Sequence, residues 1–191
     1  MKKSSNSNIR NDLTVLSVLL AIAAIIFIAF PGFVKSDSAT QSYSLFGFIF
    51  GKLTYVTTKG NSTTITTYNG GLSTFALISF ILVASGIFLL IIALPNRNFR
   101  FLLLLAGILL IAGSVCIWLI KTNGSEISFG KLEIAGYQVE YKESFSEFVN
   151  LTKSTTLFSL KDYNFGYGLI CYFTFSLVAG LTSTLSFFIK K

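Results

Sequence analysis

Four apolar blocks without a charged residue, at positions 13–33, 72–94, 101–120 and 164–189, constrain this chain more than any other feature. About 20 apolar residues in a helix cross a hydrocarbon core of roughly 30 Å, and each block reaches that length. In lipid a chain must satisfy its own backbone N–H and C=O groups, so each block is expected as a transmembrane helix. The composition agrees. Charged residues are 12% of the chain and the mean hydropathy is +0.70, where soluble domains carry roughly 25% charge. A water-soluble globule is nearly excluded.

The first block, opening LTVLSVLLAIAAIIFIAF, follows Lys2, Lys3 and Arg10, an arrangement that also suits a cleaved signal peptide. Its apolar run exceeds the roughly 7–15 residues usual for such a peptide, and Val34-Lys35-Ser36-Asp37 offers no small-x-small cleavage site. A retained span is the favoured reading. The second and third blocks are separated by residues 95–100 alone, enough for a tight antiparallel turn, so they form a membrane hairpin. The fourth begins with Phe165, Tyr167, Tyr172 and Phe173, which suit a headgroup-level aromatic belt, and ends at Lys190-Lys191.

Four spans place both termini and the 95–100 turn on one side. That side carries Lys2, Lys3, Arg10, Arg97, Arg100, Lys190 and Lys191 in about 20 residues, whereas the other carries eight basic residues in about 81. The positive-inside rule then predicts cytoplasmic termini, and the expected location is the plasma membrane. The cytoplasmic parts would be a segment at 1–12, the turn at 95–100 and a tail at 190–191. Seven of the eight acidic residues fall on the other side.

The two outer segments, 34–71 and 121–163, are long and patterned. In the first, Leu53-Thr-Tyr-Val-Thr-Thr and Ser62-Thr-Thr-Ile-Thr-Thr-Tyr68 flank Lys59-Gly60-Asn61 and predict a β-hairpin. In the second, Leu132 and Ile134 alternate with Glu133, and Tyr137, Val139 and Tyr141 alternate with polar residues, with Ala135-Gly136 as the expected turn. Ser144-Phe145-Ser146-Glu147 matches a capping box opening a short helix through Leu151. Hairpins that are marginal alone would be stabilised in one shared sheet. The expected fold is therefore a four-helix transmembrane bundle with a small extracytoplasmic β-rich cap, α+β overall.

The absence of histidine removes Ser-His-Asp and Cys-His nucleophile arrangements and His-bearing metal sites. Two cysteines cannot build a Cys₄ site. No catalytic, cofactor-binding or metal-binding residues are indicated, and the dispersed basic residues do not suggest nucleic acid. No block contains an ionisable group of the kind that marks proton or substrate routes. Cys116 and Cys171 read as buried thiols, although their depths would allow a bridge. The triplets at Asn61, Asn123 and Asn150 are glycosylation sequons in form only.

Two features point toward contact. Ser176, Gly180 and Thr184 recur every four residues on the fourth span, a spacing that lets helix backbones approach closely within the chain or between protomers. Tyr43–Phe50 is the most apolar stretch outside the spans, with Phe46, Phe48 and Phe50 as a candidate contact segment. It reads as a buried cap strand first, and otherwise as an interfacial segment or a partner-binding edge.

The order of span, long β-forming loop, membrane hairpin, second loop and span resembles the tetraspan plan of claudins and related junction or auxiliary-subunit proteins. The resemblance is one of topology. The first loop has no tryptophan or cysteine and the second no Cys-Cys-Gly motif, so no functional residues carry over. The expected function is non-enzymatic: a membrane protein whose partners are the bilayer and either itself or other membrane proteins, engaged through the cap in self-association, adhesion or as a subunit of a membrane complex. The alternative is a channel or transporter component with an uncharged path, for which Thr174, Ser176, Thr182–Thr184 and Ser186 supply the only wet stripe.

Overall fold

The apolar blocks form helices because hydrogen bonds within each segment satisfy its backbone without water. The computed structural model describes residues 2–36, 40–59, 62–94, 99–123, 126–137, 150–160 and 163–189. In chain order the elements are α1 (Lys2–Phe27), β1 (Pro31–Ser36), β2 (Thr40–Ser44), α2 (Leu45–Phe50), β3 (Lys52–Lys59), β4 (Ser62–Asn69), α3 (Thr74–Ala93), α4 (Arg100–Trp118), α5 (Ile120–Asn123), β5 (Glu126–Tyr137), β6 (Asn150–Ser159), β7 (Asn164–Phe165) and α6 (Tyr167–Phe188). Four helical stretches, Asn8–Phe27, Thr74–Ala93, Arg100–Thr122 and Tyr167–Phe188, are long and apolar enough to cross a membrane. The chain is a membrane protein built on these four helices, with small antiparallel sheets added.

Around the bundle α6 lies between α1 and α4, and α3 closes the ring against α4 and α1. Each neighbouring pair is antiparallel. The facing surfaces are lined by small residues and a few large ones: Ala21, Ala24, Val83, Leu90, Ala106, Leu110 and Ala179 are all fully buried. Lipid-facing positions such as Ile81, Phe88, Ile108 and Leu185 are more than half exposed, as hydrocarbon-facing side chains should be.

Both sheets lie at the end of the bundle away from the α3–α4 connection. The smaller has strand order β2-β1-β7, and the larger has β3-β4-β5-β6. The larger joins both long loops, because β4 of the first pairs antiparallel with β5 of the second from Ser62↔Tyr137 to Asn69↔Gly130. Its register sets Val56, Ile65, Ile134 and Leu151 in one row across all four strands.

Several expectations are corrected. The first block is not helical to residue 33. Helix α1 tightens through Ile28–Ile25 and Ala29–Ile26 hydrogen bonds of 3.2 Å and stops, because Pro31 lacks a backbone donor and the following residues pair in β1. Helix α1 also starts at Lys2, so the flank expected at 1–12 is continuous with the span. The fourth helix begins at Tyr167, since Asn164 and Phe165 pair with β1. In the second loop no turn occurs at Ala135-Gly136. Strand β5 runs through both residues, because β4 pairs with both and β6 with Ala135. Leu151 lies in β6 rather than in a helix; the capping box at 144–147 and the alternation at 138–141 lie outside the described residues.

The Tyr43–Phe50 stretch is also not one strand. Chain pairing ends at Ser44, and Leu45–Phe50 coils into α2, with Leu45, Gly47, Phe48 and Ile49 buried. Gly51 ends this helix at φ 70°, its N–H returning to the Gly47 carbonyl. That left-handed conformation costs a side-chain-bearing residue energy and glycine almost none.

Candidate functional site

An aromatic layer joins the helices to the sheets. Phe33 of β1 meets Phe48 of α2 edge-on at 5.0 Å between ring centroids, and Tyr43 of β2 meets Tyr163 at 5.7 Å. Trp118 at the end of α4 stacks 4.9 Å from Phe165 and 5.0 Å from Phe173, with Nζ of Lys121 5.3 Å from the Phe165 ring. Rings with one polar edge, capped by a lysine at the helix end, suit a membrane–water boundary.

The three phenylalanines of the candidate contact segment separate on α2. Phe48 is fully buried in this layer and is not available to a partner. Phe46 and Phe50 are half exposed, one turn apart, with centroids 4.4 Å apart, and Phe50 packs against Phe80 of α3 at 5.8 Å. The segment therefore lies along the head of α3 with two rings facing outward.

Ser176, Gly180 and Thr184 all turn toward helix neighbours, each in a different way. Gly180 of α6 abuts Gly107 of α4: a β-carbon on either would lie 2.9 Å from the other's carbonyl oxygen. Thr184 donates its hydroxyl to the Gly180 carbonyl at 2.9 Å, and buried Ser176 donates to that of Tyr172 at 2.7 Å. Residues outside this triplet make the bonds between helices. Ser183 donates to the Leu103 carbonyl of α4 at 2.7 Å. Ser186 and Thr182 pair with Thr14 and Ser17 of α1 at 2.8 and 2.7 Å. Ser79 of α3 donates its single proton to the Gly113 carbonyl at 2.6 Å, so the Tyr172 hydroxyl must donate to Ser79, at 3.0 Å. The hydroxyl stripe of α6 is thus engaged in packing except at Thr174, which is exposed and bonds only to carbonyls of its own helix. Sequence reasoning placed Ser183 in the stripe and Tyr172 in an aromatic belt but did not foresee their bonds to α4 and α3, and it missed Ser79, because the partners lie on other helices and leave no local signal. Cys116 and Cys171 are free thiols.

At the sheets, β2 and β3 are edge strands of their respective sheets among the described residues. A cleft of about 280 Å³ lies between them, lined by Pro31, Ser42, Tyr43, Ser44, Lys52 and Thr54 among others. Edge strands present unpaired backbone donors and acceptors, the chemistry to which an extended segment of another chain adds itself. Among the described residues no group of three or more Cys, Asp or Glu is placed to hold a metal ion. Comparison with known proteins found no family model, no curated protein and no solved structure that matches the chain.

Proposed function

We propose that this chain is a non-enzymatic, multi-pass protein of the plasma membrane whose extracytoplasmic cap makes protein–protein contacts, with copies of itself or with other membrane proteins of a complex. The observation that carries this reading is the four-stranded sheet. Two loops from separate hairpins are committed to a single surface, with an edge strand, β3, beside an open cleft. Building such a sheet orders about 38 residues, an entropic cost that a mere connector between spans would not need. Basic residues are densest at the opposite end, which under the positive-inside rule supports a reading with both termini in the cytoplasm.

The test is to extract the full chain gently from its own membrane and measure native mass and composition, for the wild type and for a chain lacking 53–68. Wild-type protein should emerge in a fixed-ratio assembly, and the deletion should release it while protease protection of the four spans persists. Assemblies that survive the deletion unchanged would refute a contact role for the cap.

A further inference from the structure

At the sheet end of the bundle, α2 occupies the corner between the end of α1 and the head of α3. Its Phe46 N–H donates to the Ile28 carbonyl at 3.0 Å, and its Phe48 carbonyl accepts from the Ser73 N–H at 3.0 Å. We propose that α2 is an interfacial helix immersed in the leaflet on the sheet side, with Phe46 and Phe50 in contact with lipid acyl chains. The inference concerns lipid and holds whether or not the cap also binds protein.

Depth is the first reason. Phe50 packs on Phe80 at 5.8 Å between ring centroids. The membrane-crossing stretch of α3 begins at Thr74, so the backbone of Phe80 lies about 9 Å along it. That stretch, Thr74–Ala93, has 20 residues and a length of about 30 Å, the thickness of a whole hydrocarbon core. Sliding α3 outward until Phe80 reached water would leave residues 81–93 alone in the core, about 20 Å of helix, too short to cross it. Even with the Phe80 ring leaning back toward the start of α3, Phe50 meets it below the headgroups.

The surface of α2 is the second reason. Phe46 and Phe50 are 53% and 52% exposed, as much as the lipid-facing Ile81 of α3 at 53%. Leu72, also half exposed, lies beside Gly51 at the end of α2. The apolar surface of the spans thus continues onto α2, and the occupant that covers the spans covers these rings. No residue of Leu45–Phe50 is polar. Lys52, exposed just beyond it, has the long cationic side chain that reaches back to headgroups.

The third reason is the backbone. A helix end in water can leave its spare N–H and C=O groups to solvent, whereas in lipid the protein has to satisfy them. Here protein does so. Besides the bonds to Ile28 and Ser73, the Gly51 N–H returns to the Gly47 carbonyl, and the Gly51 carbonyl accepts from the Gly70 N–H at 2.9 Å.

The full wild-type chain, reconstituted in phosphatidylcholine vesicles, is labelled with an apolar carbene precursor that partitions among the acyl chains, and mass spectrometry locates the adducts. A helix lying about 5–10 Å into the boundary of headgroups and acyl chains should label at Phe46 and Phe50 within about threefold of Phe88, which is 64% exposed along α3. Thr54, exposed on β3, should stay unlabelled. Absence of label on both phenylalanines overturns the proposal without any variant having to fold. A second measurement uses a Trp118→Phe background, which removes the single tryptophan. Emission from Phe46→Trp and Phe50→Trp should be quenched by phosphatidylcholine brominated on its acyl chains and protected from aqueous iodide, and Thr54→Trp should show the reverse. Iodide quenching equal to that of Thr54→Trp would put α2 in water. Protection from both quenchers would mean that a second protein chain covers the rings. Either result overturns the lipid assignment.

Discussion

Replacing Gly107 by alanine tests the α4–α6 crossing with a change of one methyl group. A β-carbon at Gly107 would lie 2.3 Å from Oγ1 of Thr184, 2.9 Å from the Gly180 carbonyl oxygen and 3.2 Å from the Thr184 amide nitrogen. Relaxed carbon–oxygen contacts begin near 3.3 Å. The hydroxyl can rotate away, giving up its 2.9 Å bond to the Gly180 carbonyl, but the backbone of α6 is held on its other side by α1. Overpacking of this kind costs about 1–3 kcal/mol. Alanine's better helix propensity returns about 0.5–1 kcal/mol, so the middle of each range leaves a net loss of about 1.3 kcal/mol, or roughly eightfold in the folded-to-unfolded ratio. The assay is reversible unfolding of the detergent-solubilised chain in sodium dodecyl sulfate, followed by circular dichroism. Thr184→Ala removes one of the colliding groups, so the double variant Gly107→Ala/Thr184→Ala should lose less than the two single losses added together. Ser85→Ala, on the exposed face of α3, should change stability by less than about 0.5 kcal/mol. If Gly107→Ala matched or exceeded wild-type stability, helix propensity alone would govern the site and the close crossing would be refuted.

The same unfolding assay checks two further pairs. Ser79→Ala leaves the Tyr172 hydroxyl buried without its acceptor and should cost about 1–3 kcal/mol, whereas Tyr172→Phe leaves Ser79 still bonded to the Gly113 carbonyl and should cost about 0.5–1.5 kcal/mol; the reverse order would overturn the assigned donor direction. Phe48→Ala empties a fully buried site and should cost about 3–5 kcal/mol, while Phe46→Ala, half exposed on the same short helix, should cost much less. Equal losses would mean that α2 does not separate a buried from an outward face.

Much of the helical half was legible in the sequence because lipid leaves a chain few options. A run of about 20 uncharged apolar residues has to be a helix when no water can satisfy its backbone. The ends were less legible. Pro31 and Asn164 sit in apolar surroundings that hydropathy cannot divide, and strand pairing through β1 decides where both flanking helices stop. In the loops the alternation at 132–134 marks residues that do lie in a strand, β5. Ala135-Gly136 looked like a turn only because the sequence does not reveal that β4 waits on one side and β6 on the other. Leu45–Phe50 is six residues long, too short for periodicity to separate helix from strand, and Phe48 finds its place among Phe33 and Tyr43 only in three dimensions.

The candidate sites divide in the same way. The four-residue spacing of Ser176, Gly180 and Thr184 predicts a close helix contact, because i and i+4 share a face. It does not name the partner, which folding makes Gly107. The sequence also gathers positive charge at one end of the spans. That Arg10 and Arg100, out of seven basic residues there, line one cavity depends on how α1, α3 and α4 come together at that end. Spans, their number and the sign of each end follow from local chemistry, since each residue's affinity for lipid or water is its own property. Which strands share a sheet, which glycines touch and which arginines line one cavity are set by pairings between distant segments, and only the folded chain decides them.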